Sequence, residues 1–477
     1  MNASGDSARQ SSRSQHLVPF QRLVRRLFFT AGAGDTRAEA CNPRKCLLLA
    51  PIVGVVTGLA ITGLVMVLLD WLWPLVLSTY LDHHWAIVPG LVSGSVLAGL
   101  IMQKLTPDPN EHSTEEVIRA YHLHGGRMDL RSFFPKIAAA IATVGSGGSA
   151  ALEGPSIYGG GAIGSGLWNR LRRFPLSDRE RRIMLICGAA AGMSAVFRAP
   201  LTGIVFALEM PFLDDLAYEA LAPSLIASVV AFVTLSAFLG AKPLFGFHSV
   251  GSYTRRDIYW SALLGMFIGL LALLFVIVFR RVRHLAVRAL MPHWVKMGIG
   301  GLLTGLCGLA FLWLYPGRLT PLGPNYEAVG MILNQHHATA ELLSFAALKL
   351  GATIATLGTG GVSAMFVPRF LTGGALGTAF AQSIVHSTNS GLYAAVGMAA
   401  FLSAGYKTPL AAVVFVAETT GGHAFIVPAI IAAAVAYGVS GNASASSEQR
   451  SREEPGASSG AAKPSDGPAP GASPEEV

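Results

Sequence analysis

The chain has 477 residues, of which 52% are hydrophobic and only 13% charged, with 54 glycines and a formal net charge of +8. A soluble chain carries roughly 25% charged residues, so about half of the usual solvating surface is missing. Together with a mean hydropathy of +0.50, this excludes a soluble enzyme, a disordered chain and a coiled coil, and specifies an all-α polytopic membrane protein.

Residues 1–45 hold eight Lys/Arg against Asp6, Asp35 and Glu39, and form a basic arm. The next segment, Cys46 to Leu69, has 24 residues and no charged residue until Asp70. It is too long for a signal-peptide core, and no small-residue cleavage site follows it. The positive-inside rule places the arm in the cytoplasm and the protein in the cell (inner) membrane as a multi-pass chain. Without aromatic interleaving or a folded module, the arm is not expected to bind nucleic acid. Cys41, Cys46, Cys187 and Cys307 are scattered, which argues against a zinc site or a disulfide framework. The pairs His83–His84 and His336–His337 lack partners at ligand spacing, so neither metal nor cofactor is expected.

Crossing a bilayer takes about 20 apolar residues as a helix. Segments 46–69, 220–241 and 258–279 supply that length plainly. Elsewhere Gly and Pro divide the apolar stretches into shorter pieces: 86–102, 135–152, 155–168, 183–197, 200–213, 365–381, 392–404 and 424–438. Broken helices survive in a membrane only where protein or a water-filled cavity surrounds the freed backbone. That favours a transporter-like core with re-entrant helices. Beyond residue 440 the chain turns polar and rich in Ser, Gly, Ala and Pro, as a disordered tail would. The expected division is an arm (1–45), a first transmembrane repeat (46–245), a second (246–440) and a tail (441–477).

The repeat is explicit. Gly188–Glu209 (GAAAGMSAVFRAPLTGIVFALE) aligns without a gap on Gly397–Glu418 (GMAAFLSAGYKTPLAAVVFVAE), with 10 of 22 positions identical. Upstream, Gly147, Gly148, Pro155, Gly160, Gly161, Ala162 and Gly164 match Gly360, Gly361, Pro368, Gly373, Gly374, Ala375 and Gly377 at an offset of 213. Between the matched blocks the first half carries Arg170, Arg172, Arg173, Arg179, Arg181 and Arg182, whereas 381–391 contains no Lys or Arg. Equivalent loops on opposite faces define an inverted-topology repeat, whose site lies near the midplane where paired broken helices meet.

Those helices begin in GSGGSAALEGPSIYGGG and GTGGVSAMFVPRFLTGG. Proline suits a first helical turn, and two facing helix starts present free N–H groups and positive dipole ends to an anion. The helix starts Gly154, Pro155, Val367 and Pro368 are therefore the candidate anion-site positions. Three carboxylates interrupt the apolar central segments: Glu153, Glu209 and Glu418. Each is costly in a membrane, by about 2.5–3.5 kcal/mol on insertion scales. Glu209 and Glu418 are repeat mates, which suggests a symmetric structural duty. Glu153 faces Phe366 across the repeat, so the fold does not demand an acid there. It is the expected gate, able to occupy an anion site and leave it on protonation. An intramembrane serine protease using Ser149 would need a histidine at membrane depth, and the 13 histidines fall in tails, loops or segment ends.

These motifs, with LEGP at 152–155 and FVP at 366–368, resemble the CLC family of chloride channels and proton/chloride exchangers over residues 46–449. The resemblance implies a homodimer with a separate pore in each subunit, moving chloride or a similar anion across the lipid bilayer. It makes Glu153 the gating glutamate of a GREGP-like motif, and makes the backbone amides of Met365 and Phe366 anion donors, with Ala364 in place of a glycine. Four positions depart from the family pattern. The GSGIP loop falls on Glu111–Glu115, with His112 where the anion-binding serine is expected. Leu152 replaces the arginine before the gate, Ser446 stands at the expected pore tyrosine, and Met210 replaces an internal proton glutamate. His112 becomes a candidate anion or pH-sensing residue and Glu209 a candidate proton path. Lacking an acid at Met210, the sequence favours channel-like, uncoupled conduction, with proton-coupled exchange as the alternative. Bicarbonate, nitrate and fluoride stand beside chloride as substrates.

Overall fold

The computed structural model describes residues 43–451 apart from 111–113, 171–175, 243, 246–251, 317–319, 335–336, 423 and 447. The basic arm before residue 43, His112, Arg172, Arg173 and the chain beyond 451 lie outside the described residues.

The first half contains α1 (Pro43–Val65), which runs through a π-helical stretch (Met66–Leu72) into α2 (Trp73–Asp82), then α3 (Ile87–Leu105), α4 (Thr114–Leu123) and α5 (Phe133–Gly145). It continues with α6 (Glu153–Arg170), α7 (Asp178–Phe197), α8 (Pro200–Glu209) and α9 (Leu221–Leu239). The second half contains α10 (Arg255–Arg288), α11 (His293–Leu314), α12 (Glu327–Asn334), α13 (Thr339–Gly358), α14 (Phe366–Phe380), α15 (Ser390–Tyr406), α16 (Pro409–Thr420) and α17 (Ile426–Val439). Among the described residues the only β-type pairing is two isolated bridges, Ala151 with Ala364 and Phe212 with Arg450.

The packing repeats between the halves. In the first, α1 packs on α9, α6 on α7 and α3 on α5; in the second, α10 packs on α17, α14 on α15 and α11 on α13. The local devices repeat as well. Arg198 ends α7 and Lys407 ends α15, both in the left-handed conformation (φ 53° and 59°). Each stands two residues before the proline that starts the next helix, Pro200 or Pro409. A polytopic all-α inverted repeat with broken helices is therefore the architecture.

Among the described residues, six helical stretches are long and apolar enough to cross a membrane: Arg44–Asp82, His84–Leu105, Tyr218–Leu239, Arg255–Arg288, His293–Leu314 and Thr339–Gly358. Sequence reading recognised three of these and took 86–102 as a broken piece. The difference lies in the glycines. In α11 they allow close approach instead of ending the helix: a Cβ on Gly301 would lie 2.6 Å from the Leu91 carbonyl of α3. A second correction concerns the tail. Within 441–451, Ser444, Ala445, Ser446 and Gln449 are buried. Gln449 donates to the carbonyls of Met210 (3.0 Å) and Tyr406 (2.9 Å), and Arg119 pairs with Glu448 at 2.8 Å.

Candidate functional site

The site is built where the two broken segments cross. The Ala151 N–H donates to the Ala364 carbonyl at 3.1 Å, and the Ser363 hydroxyl bonds back to the Ala151 carbonyl. Just upstream, the Ser149 N–H donates to Thr356 Oγ1 at 3.1 Å and its hydroxyl pairs with that of Thr353 at 2.9 Å. Ser149 is thus tied to threonines of α13. These bonds satisfy backbone that has left its helix, the requirement for non-helical chain at membrane depth. They also fix the starts of α6 and α14 against one another.

Glu153 occupies the first turn of α6 and is 1% exposed. Its Oε1 accepts the Phe366 N–H at 2.7 Å, while Oε2 has no hydrogen-bond partner. One carboxylate therefore takes the free amide at the start of the opposite repeat's helix, where the macrodipole favours negative charge. Gly154, Pro155, Val367 and Pro368 are all buried around this contact. The structure brings together Glu153, Met365 and Phe366 and leaves Glu209 elsewhere.

The second expected amide meets a residue that sequence reading did not single out. The Met365 N–H donates to the Tyr406 hydroxyl at 3.2 Å. Tyr406 is the last residue of α15, and its repeat mate is Phe197. The difference between those mates was the available signal. The ring of Phe366 is enclosed by Phe197, Phe206, Phe415 and Tyr406, with centroids 4.7–5.6 Å away. Such aromatic packing holds the helix start rigidly.

A cavity lies beside this point, reaching Met365 and Tyr406. It is lined by Glu115, Arg283, Met210, Ser446, Tyr406 and Met365, among others. Glu115 and Arg283 are ion-paired at 2.7 Å along it. Ser446, expected where the family has a pore tyrosine, lies in this wall, as does Thr114 at the start of α4, whose buried hydroxyl has no hydrogen-bond partner.

Glu209 and Glu418 form a reciprocal pair of caps. Glu209 Oε1 and Oε2 accept from Leu410 N–H (3.1 Å) and Ala411 N–H (2.8 Å) at the start of α16. Glu418 Oε1 and Oε2 accept from Leu201 N–H (3.0 Å) and Thr202 N–H (2.7 Å) at the start of α8. Each acid thus satisfies orphan donors of the other repeat's helix.

The Tyr406 oxygen accepts from Met365, so its own O–H is available to donate toward the cavity. For Tyr406→Phe, anion affinity is expected to fall about fivefold, the loss of one hydrogen bond of roughly 1 kcal/mol. The concentration dependence of anion flux in liposomes measures this. Unchanged half-saturation would leave the hydroxyl a purely structural acceptor.

Residues 94–441 match the family described as voltage gated chloride channel. A putative chloride channel protein, ClcB-like, of Ralstonia nicotianae is 26% identical over 355 residues, 73% of this chain and 81% of that protein. The H(+)/Cl(-) exchange transporter ClcA of Yersinia pestis is 27% identical over 406 residues, 82% of this chain and 83% of its own. Among solved structures, a CLC-type fluoride/proton antiporter has a TM-score of 0.73 at 23% identity, covering 88% of this chain and 100% of that one. A slow cyanobacterial Cl-/H+ antiporter has a TM-score of 0.71 at 22% identity, covering 83% and 94%. These two structural likenesses establish the fold.

Proposed function

Because the chain belongs to the voltage-gated chloride channel family, we propose that it exchanges a small inorganic anion, chloride first, for protons, with Glu153 as the gate. The observation that carries this reading is the buried Glu153 carboxylate on the Phe366 amide. A carboxylate in that position competes with a free anion for the same donor. Protonation removes its charge and frees the amide for the anion. One residue then handles both substrates, which is the elementary requirement for coupling them. Relatives named as proton/chloride exchangers support exchange over the channel-like conduction that Met210 suggested. The proposal puts the basic arm in the cytoplasm and pairs two copies in the cell (inner) membrane, each with its own pathway.

Proton delivery is the step that Met210 leaves open, since a thioether carries no proton. Glu209 is a poor relay because both its oxygens already cap α16, and protonation would cost it at least one of those bonds. The cavity from Glu115 to Met365 and Tyr406 ends beside the Phe366 amide that Glu153 holds, so the proposed proton route runs through it and needs Glu153 to swing toward it. Reconstituted protein with a fixed chloride gradient and a varied pH gradient tests exchange. The reversal potential is expected to shift with the proton gradient. A potential set by chloride alone would return the protein to a channel. Glu209→Gln, which keeps one capping oxygen, is expected to leave the shift intact. Repeating the flux with fluoride, nitrate and bicarbonate ranks the anions.

A further inference from the structure

One charged group of the core is absent from the mechanism above. Arg369 lies in the first turn of α14, where its N–H donates to the Met365 carbonyl at 3.2 Å. Its side chain is 0% exposed, and none of its three guanidinium nitrogens has a hydrogen-bond partner. The other buried cations among the described residues, all lysines, are not left in that condition. Lys349 donates to the carbonyls of Pro321 (3.0 Å) and Gly323 (2.8 Å), and Lys407 bonds Ser440 and the Tyr437 carbonyl. Lys136 pairs with Glu116 and Lys45 with Glu180.

The guanidinium lies over the rings of Phe275 (5.0 Å) and Tyr406 (4.8 Å). Gly405 leaves it room, since a Cβ there would stand 2.5 Å from its Nη1. Two cation–π contacts offset only part of the cost of burying an unpaired ion. A negative charge has to make up the difference. The carboxylate of Glu153 is the acid in electrostatic interaction with Arg369, yet no hydrogen bond joins them. The same tyrosine that carries the guanidinium on its face takes the Met365 amide on its hydroxyl. The repeat makes the same point in sequence: at the offset of 213, Arg369 stands opposite Ser156, just as Glu153 stands opposite Phe366. Each half contributes one charge that its mate lacks, and the two charges are opposite.

We propose that Arg369 is the fixed positive charge of the transport site, which holds one negative charge at the start of α14: either the Glu153 carboxylate or a single monovalent inorganic anion in its place. This deepens the exchange reading and rests on it. The surrounding charges do not take over the role. Glu209 and Glu418 are committed to caps, Arg283 to Glu115, and Arg280 to the Ser444 carbonyl. Arg369 acts through the site as a positioning residue for that negative charge.

Chloride titration calorimetry on the purified full chain, with chloride flux from liposomes, provides the test. Wild-type protein that neither binds nor moves chloride or another monovalent anion defeats the exchange reading itself, whatever the arginine does. If the wild type does both, Arg369→Met is expected to bind chloride roughly tenfold more weakly, the scale of a lost charged interaction. Its flux at saturating chloride should be far less affected. Arg369→Lys is expected to recover affinity to within about threefold of wild type, because it restores the charge without the planar fork. Wild-type affinity in Arg369→Met, or a lysine variant no better than methionine, overturns the proposal. Should Arg369→Met fail to fold, the double variant Glu153→Gln/Arg369→Met removes both charges together. It is expected to fold and to bind chloride roughly tenfold more weakly than Glu153→Gln alone. A double variant that binds like Glu153→Gln, or that also fails to fold, assigns Arg369 to packing and overturns the proposal.

Discussion

Glu153→Gln is expected to keep moving anions while proton movement falls to background. The substitution preserves the length of the side chain, and its amide oxygen can still accept the Phe366 N–H that the carboxylate accepts at 2.7 Å. The variant therefore has no reason to misfold. It loses two properties together: the negative charge that competes with the anion, and the ability to take and release a proton. Wild-type flux should rise as the pH falls, because protonation removes the competitor. The variant is permanently in the uncharged condition, so its flux should be nearly flat from about pH 4.5 to 7.5. Simultaneous recording of chloride efflux and external pH from liposomes separates the two effects. If the variant still pumps protons, or retains the wild-type pH profile, Glu153 is not the gate and its contact with Phe366 is only a cap.

Glu153 was legible in the sequence as the candidate gate because an acid in an apolar repeat is conspicuous and because Phe366, its mate, showed that the fold did not require it. The paired helix starts were legible for the same reason: glycine and proline mark them at a constant offset. Arg369 and Tyr406 obeyed the same rule, as Arg369 against Ser156 and Tyr406 against Phe197, but a search confined to carboxylates and to the C-terminal segment passed over both. Their importance lies in tertiary placement, a guanidinium over two rings and a hydroxyl on a helix-start amide. No local pattern encodes either. The segment 441–451 is the converse case. Its composition reads as a solvated tail, yet Gln449 reaches three carbonyls from 210 to 406 and Glu448 reaches Arg119. The helices α11 and α13 were missed because glycine, threonine and a buried lysine lower their apparent apolarity, although the bundle satisfies each of them.

Gly188→Val is expected to abolish recovery of folded protein, and Gly397→Val to do the same from the other half. Both glycines are helical, so backbone strain is not the cause; in an isolated helix a glycine is worse than alanine by about 1 kcal/mol. The cause is the neighbouring backbone. A Cβ on Gly188 would run into the carbonyl of Gly160, and one on Gly397 into the carbonyl of Gly373. Both contacts are fully buried within the α6–α7 and α14–α15 pairs. A carbonyl in a helix cannot give way as a flexible side chain could, so the helices must separate, and close backbone approach is what holds such helices together in lipid. The same contacts locate the site, because α6 carries Glu153 and α14 carries the Phe366 amide. The milder Gly188→Ala should then fold in part and lose anion affinity out of proportion to its loss of stability. Gly63→Ala and Gly438→Ala are the controls: nothing stands within 4 Å of a Cβ at either position, so stability should be unchanged or slightly raised. Size-exclusion profiles, thermal melts and flux measured on the same preparations separate these outcomes. Gly188→Val protein that folds and transports like wild type would mean that the α6–α7 approach does not set the position of Glu153.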